Sequence, residues 1–120
     1  MKIIKFNLNK EIKDLSIDQT YEYKGDNYWD WSVWIKGSET NLDKIKSVTY
    51  QLHNTFPKPI VVVEDRTNNF KLETSGWGEF TIYAMLIFND DTVKHIKHNL
   101  KLKYPEIKYK SSDLLYAKQV

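Results

Sequence analysis

Alternation of apolar and polar side chains runs through most of this chain and restricts the fold more than any other feature. Phe80, Ile82, Ala84, Leu86 and Phe88 fall on every second position. Trp31, Val33 and Ile35 alternate with Asp30, Ser32, Trp34 and Lys36, and Ile4, Phe6 and Leu8 alternate with charged and amide residues. Ile96, Leu100 and Leu102 face one way, while Lys97, Asn99, Lys101 and Lys103 face the other. A period of two gives a strand one face for a core and one for water, as in half-buried antiparallel sheets.

Residues 42–52 fit two periods. Leu42, Ile45, Val48 and Leu52 have helical spacing, whereas Val48, Tyr50 and Leu52 have strand spacing. The β-branched Ile45, Val48 and Thr49, followed by Pro57 and Pro59, favour the strand. Pro59-Ile60-Val61-Val62-Val63 reads as a short strand entering the core on both faces. Turn residues punctuate the runs at Lys24-Gly25-Asp26-Asn27, Lys36-Gly37-Ser38, Asn54 to Pro59, Thr67-Asn68-Asn69, Ser75-Gly76 and Asn89-Asp90-Asp91. Seven to eight short strands at roughly 8–12-residue spacing predict an all-β, immunoglobulin-like antiparallel β-sandwich. The sandwich is expected over residues 1–110, with 111–120 as a short helix or loose tail.

Composition narrows the function classes. The chain has no cysteine, which removes disulfides and thiolate zinc sites and fits a reducing, cytoplasmic setting. A net charge of +2 does not select a polyanionic partner. No apolar run approaches a bilayer-spanning length, and Met1-Lys2-Ile3-Ile4-Lys5-Phe6 does not read as a signal peptide. His95 and His98, three apart on a strand, point to opposite faces and make no metal pair. No phosphate loop, nucleophile elbow or acid–base pair stands out, so neither catalysis nor a cofactor is expected. Residues 94–110 carry six lysines against Glu106, but Lys97, Lys101 and Lys103 alternate with core positions. They read as a solvated strand face that discourages edge pairing, and no nucleic-acid partner is expected.

The aromatic content is unusual: four Trp, eight Tyr and five Phe, several at turns. Trp29 and Trp34, if exposed together, would make a contact patch. Two loops break the sandwich pattern, Leu52-His53-Asn54-Thr55-Phe56-Pro57-Lys58-Pro59 and Gly76-Trp77-Gly78-Glu79-Phe80. A tryptophan between two glycines in a turn is poorly explained by packing. Loops at one end of a sandwich cluster into a binding surface.

These two loops, together with Asp30-Trp31-Ser32-Val33-Trp34-Ile35-Lys36-Gly37 and Phe70-Lys71-Leu72-Glu73, resemble the YEATS domain from about Trp29 to Leu102. The first loop is similar to that family's L-H-x-S/T-F/Y-x-x-P loop and the second to its G-W-G-E-F or G-Y-A-G-F turn. The resemblance implies an immunoglobulin-fold reader of acetyl-lysine, crotonyl-lysine and related acyl-lysines. It implies that Phe56 and Trp77 flank a flat slot, that Thr55 hydrogen-bonds the acyl-lysine amide, and that the Trp77 backbone N–H donates to the amide carbonyl. Gly76 and Gly78 would let the backbone approach the ligand closely, His53 would brace the slot or touch the ligand, and Phe80 would support the turn from beneath. Some members carry a third aromatic wall just before the first tryptophan strand. The corresponding position here is Asn27, with Tyr28 and Trp29 beside it as alternatives.

The compact chain, rich in Lys, Ile and Asn, resembles the bacterial branch of the family, so a cytoplasmic setting is expected, or a nuclear one in a eukaryote. The expected partner is an acylated lysine side chain of a protein or peptide. A second reading, favoured by Asn27, is a non-enzymatic interaction or scaffold module of a bacterial signalling or defence system that has lost acyl recognition. An open slot between the two rings separates the first reading from the second.

Overall fold

The computed structural model describes residues 13–106. In order they form β1 (Ser16–Gly25), β2 (Tyr28–Lys36), the helical turn α1 (Glu39–Leu42), β3 (Ile45–Gln51), β4 (Ile60–Val63), a 3-10 turn (Arg66–Asn68), β5 (Leu72–Gly76), β6 (Thr81–Phe88) and β7 (Val93–Asn99). The strands make two antiparallel sheets, one ordered β1-β2-β5 and the other β4-β3-β6-β7. This is the predicted immunoglobulin-like sandwich, with seven strands among the described residues. The alternation expected at Ile4, Phe6 and Leu8, the boundary at residue 110 and the tail from 111 lie outside the described residues.

The two apolar stripes face each other. Trp29, Trp31, Val33 and Ile35 of β2 share one core with Val48 and Tyr50 of β3 and Ile82, Ala84, Leu86 and Phe88 of β6. The β1–β2 hairpin closes through Asp26 and Asn27 at φ 55° and 58°, with Gly25 opposite Tyr28. Both loop residues occupy the left-handed region required by a two-residue primed turn, which Asp and Asn tolerate better than most.

Several local expectations are corrected. Leu42 belongs to α1, whose Ser38 side chain accepts the Asn41 N–H, and the strand begins only at Ile45. Ile45, Val48 and Tyr50 are buried in β3, so the strand reading holds from Ile45, and the four-residue α1 contributes only Leu42 to the core. The run expected to enter the core on both faces is β4, at a sheet edge, where Ile60 and Val62 are 54% and 60% exposed while Val61 and Val63 pack on the core. Ser75-Gly76 is the end of β5 and not a turn; the bend lies at Trp77-Gly78. Trp29 is buried and Trp34 lies on the opposite face beneath Lys71, so they make no joint patch.

The chain beyond β7 straps the sheets together. Leu100 N–H donates to the Phe80 carbonyl at 2.9 Å, and the Gln19 side chain exchanges hydrogen bonds with both backbone groups of Lys101. Trp29 Nε1 donates to the Lys103 carbonyl at 3.0 Å. Leu100 and Leu102 are therefore buried without being part of a strand.

Candidate functional site

At one end of the sandwich the β3–β4 loop and the β5–β6 loop converge. The β3–β4 loop is pinched at its base, where Leu52 N–H donates to the Pro59 carbonyl at 2.7 Å. Within it Phe56 N–H donates to the His53 carbonyl at 3.1 Å, a turn that folds Phe56 back toward the core. The Phe56 ring meets Trp31 at 6.2 Å and Phe80 at 5.4 Å between centroids. Tilted and edge-on aromatic contacts at these distances are favourable and hold the ring in place.

The β5–β6 loop is fastened from behind. Leu102 N–H donates to Glu79 Oε2 at 2.8 Å, and Phe80 sits among Trp31, Phe56 and His53. With its neighbours held, Trp77 projects outward and is 68% exposed. A tryptophan so exposed beside a half-buried Phe56 leaves an open cleft of about 190 Å³ between the two loops.

Every candidate singled out in the sequence lines this cleft: Tyr28, His53, Thr55, Phe56, Gly76, Trp77, Gly78 and Phe80. Of the three neighbours expected at a third wall, Tyr28 is the one that lines the cleft. It is 42% exposed and borders the cleft, whereas Trp29 turns into the core. The Asn27 side chain accepts from the Tyr104 hydroxyl at 2.6 Å, and Tyr104 packs with Tyr23 and Trp29 in an aromatic cluster. Sequence reasoning missed Pro57, Ser75 and Glu79 as lining residues, although Pro57 and Glu79 stood inside the two loops already marked.

His53 does more than border the cleft. Its Nδ1 lies 2.9 Å from Thr55 Oγ1 and also accepts the Thr55 backbone N–H at 3.3 Å. The two glycines differ. A Cβ on Gly76 would meet Phe56 and Trp31 at 3.6 Å, whereas one on Gly78 would meet nothing within 4 Å. Neither has a positive φ. The fold itself therefore does not require glycine at either position. Glu79, which the Leu102 N–H engages, is the one carboxylate on the cleft wall, and no Lys or Arg lines it. Among the described residues no group of three His, Cys, Asp or Glu could hold a metal, and no helix is long and apolar enough to cross a membrane.

A family model described as the prokaryotic YEATS domain matches residues 29–101, more than half of the chain. The chain belongs to the prokaryotic YEATS domain family. Among curated proteins this YEATS domain is 34% identical over 114 residues to Transcription initiation factor TFIID subunit 14b of Arabidopsis thaliana, covering 81% of this chain and 41% of that one. It is 34% identical over 77 residues to the Protein AF-9 homolog of Eremothecium gossypii, covering 60% of this chain and 36% of that one. The chain thus spans about two-fifths of the length of these two curated relatives. Among solved structures, the Yaf9 YEATS domain recognising an H3K122suc peptide aligns with a TM-score of 0.56 at 26% identity, covering 74% of this chain and 69% of that one. The Yaf9 YEATS domain bound to H3K27ac aligns with a TM-score of 0.59 at 23% identity, covering 76% and 71%, and speaks for the fold alone.

Proposed function

We propose that this YEATS domain is a reader of acylated lysine that performs no chemistry. The observation that carries the proposal is the open cleft whose lining includes Phe56, Trp77 and Thr55. An acyl-lysine amide is flat, neutral and polarisable. Two aromatic faces would sandwich it, each contact adding roughly 0.5–1.5 kcal/mol beyond area burial. The Thr55 hydroxyl would take the amide N–H and the Trp77 backbone N–H would give to the carbonyl, with Tyr28 closing the third side. An unmodified lysine would have to bring an ammonium out of water, at a cost of several kcal/mol without a partner charge. Acylation removes that charge, so the slot discriminates by desolvation alone. The Yaf9 YEATS domain recognising an H3K122suc peptide supports the reading by relationship. The partner of this chain is an acylated lysine on a protein or peptide, met in the cytoplasm if the host cell is bacterial.

The test is a titration of acetyl-lysine, crotonyl-lysine and unmodified peptides, followed by the NMR shift of the Trp77 indole. Saturable binding of only the acylated peptides is expected. No binding at millimolar peptide would overturn the proposal and leave the interaction module as the reading.

A further inference from the structure

The outer face of the three-stranded sheet carries a second depression, an open groove of about 510 Å³ across β1, β2 and β5. Alternation sends Trp31 and Val33 into the core and Ser32 to this opposite face. There the register sets Ser32 between Thr20 of β1 and Glu73 of β5, and Asp30 between Glu22 and Ser75. The groove wall therefore gathers three carboxylates, Glu22, Asp30 and Glu73, against one ammonium, Lys71.

The floor of the groove holds an unused acceptor. Ser32 is 6% exposed and lines the groove, and its hydroxyl meets no hydrogen-bond partner among the described residues. A hydroxyl buried to that extent ordinarily has a partner. The carboxylates above it show which charge the groove takes. Lys24 Nζ contacts Glu22 Oε1 and lies 3.8 Å from Asp30 Oδ2, and Lys71 Nζ lies 3.4 Å from Glu73 Oε1. The side chains of the three acids remain 57–70% exposed. Ion pairs this open hold weakly, so an incoming cation replaces them at little cost.

The groove is continuous with the acyl cleft. Ser75 lines both, and the next residue, Gly76, lines the cleft. From Ser75 to Glu73 the strand runs roughly 7 Å, a distance that an extended peptide covers in about two residues.

We infer that this groove binds a basic side chain, arginine or lysine, of the same peptide that seats its acyl-lysine in the cleft, one to three positions along. The inference rests on the acyl-lysine reading and gives it a sequence requirement. A guanidinium or ammonium brings only donors and a positive charge, matching the carboxylates at the wall and the hydroxyl at the floor.

The experiment uses acetyl-lysine peptides that are otherwise neutral. One arginine, or its neutral isostere citrulline, is placed at each of the three positions on either side of the acetyl-lysine. At one or more of these positions arginine is expected to bind about threefold to tenfold more tightly than citrulline, as two or three exposed ion pairs would give. The advantage is expected to shrink in about 0.5 M salt. The amide resonances of Ser32 and Glu73 are expected to move with the arginine peptide and not with the citrulline one. In the double variant Asp30→Asn, Glu73→Gln, whose side chains are exposed and leave the core intact, the arginine-to-citrulline ratio is expected to fall to about one. Equal affinities at every position, or a ratio unchanged in the double variant, would overturn the inference while leaving the reader intact. Failure of every acylated peptide to bind would overturn both.

Discussion

Thr55 Oγ1 and His53 Nδ1 lie 2.9 Å apart, and the same nitrogen accepts the Thr55 backbone N–H at 3.3 Å. Accepting a backbone N–H assigns Nδ1 as the bare nitrogen of the ring, so the Thr55 hydroxyl donates to it. The hydroxyl proton is then committed, and in the proposed complex the oxygen would be left to accept the amide N–H. Thr55→Val is expected to weaken acyl-peptide binding by about 0.5–1.5 kcal/mol, the net worth of one hydrogen bond, with an unchanged unfolding midpoint. His53→Ala frees the hydroxyl to rotate and is expected to weaken binding less than additively with Thr55→Val in a double-mutant cycle measured by calorimetry. Additive losses would mean that the two side chains act separately.

Trp77 is 68% exposed, so the fold draws little stability from it. Trp77→Ala is expected to shift unfolding by no more than about 0.5 kcal/mol, as for an ordinary surface substitution. Binding of acyl peptides is expected to disappear, because one of the two slot walls is gone. Retained affinity would remove Trp77 from the slot.

Tyr50 reports on stability instead. Its hydroxyl, buried in the core, donates to the Phe70 carbonyl at 2.7 Å. Phe70 is a bulky residue at φ 58°, held there by its own N–H to the Asp65 carbonyl and by its neighbour's carbonyl, Asn69 to Ile35 N–H. Positive φ at such a residue is costly and persists only where the surroundings impose it. Tyr50→Phe leaves the Phe70 carbonyl without this donor and is expected to cost about 1–3 kcal/mol in urea unfolding, with binding at low temperature unaffected.

His98 makes stability depend on pH. Burial lowers the pKa of its imidazole below the ordinary 6.5; Asp18 opposes the shift and Lys101 adds to it. The ring Nε2 sits 2.6 Å from Gln19 Oε1, an acceptor, so the neutral ring donates there. The unfolded chain binds the proton more readily than the folded one. The contribution of His98 is therefore complete above pH 6.5 and is lost as pH falls from there toward the lowered folded value. Unfolding midpoints are expected to drop between pH 7 and pH 5 in the wild type and to drop less in His98→Gln. Parallel curves would exclude His98 as the source.

Strand content and both cleft-lining loops were legible because their signals are local. Alternation is a property of the pleat itself, so β2 and β6 show their buried faces in the order of residues alone. Loops rich in Gly, Pro, Thr and aromatics stood out where a packed strand would have no use for them. The third wall was not legible. Tyr28 and Trp29 are consecutive, and which of them faces the core depends on the hairpin register, set by the turn at Asp26-Asn27 and the irregularity between Tyr23 and Gly25.

The order of residues alone thus determined a sandwich with two aromatic-bearing loops, because backbone geometry and turn chemistry act over a few neighbours. Tertiary structure decided what those neighbours could not. It made β4 an edge, where Ile60 and Val62 stay exposed, because pairing partners come from far along the chain. It brought residues 53–57 to residues 75–80 across two sheets and opened a cleft lined by both Phe56 and Trp77. Those relationships exist only once distant strands are stacked, since the contacts that create them join segments with no local preference for one another.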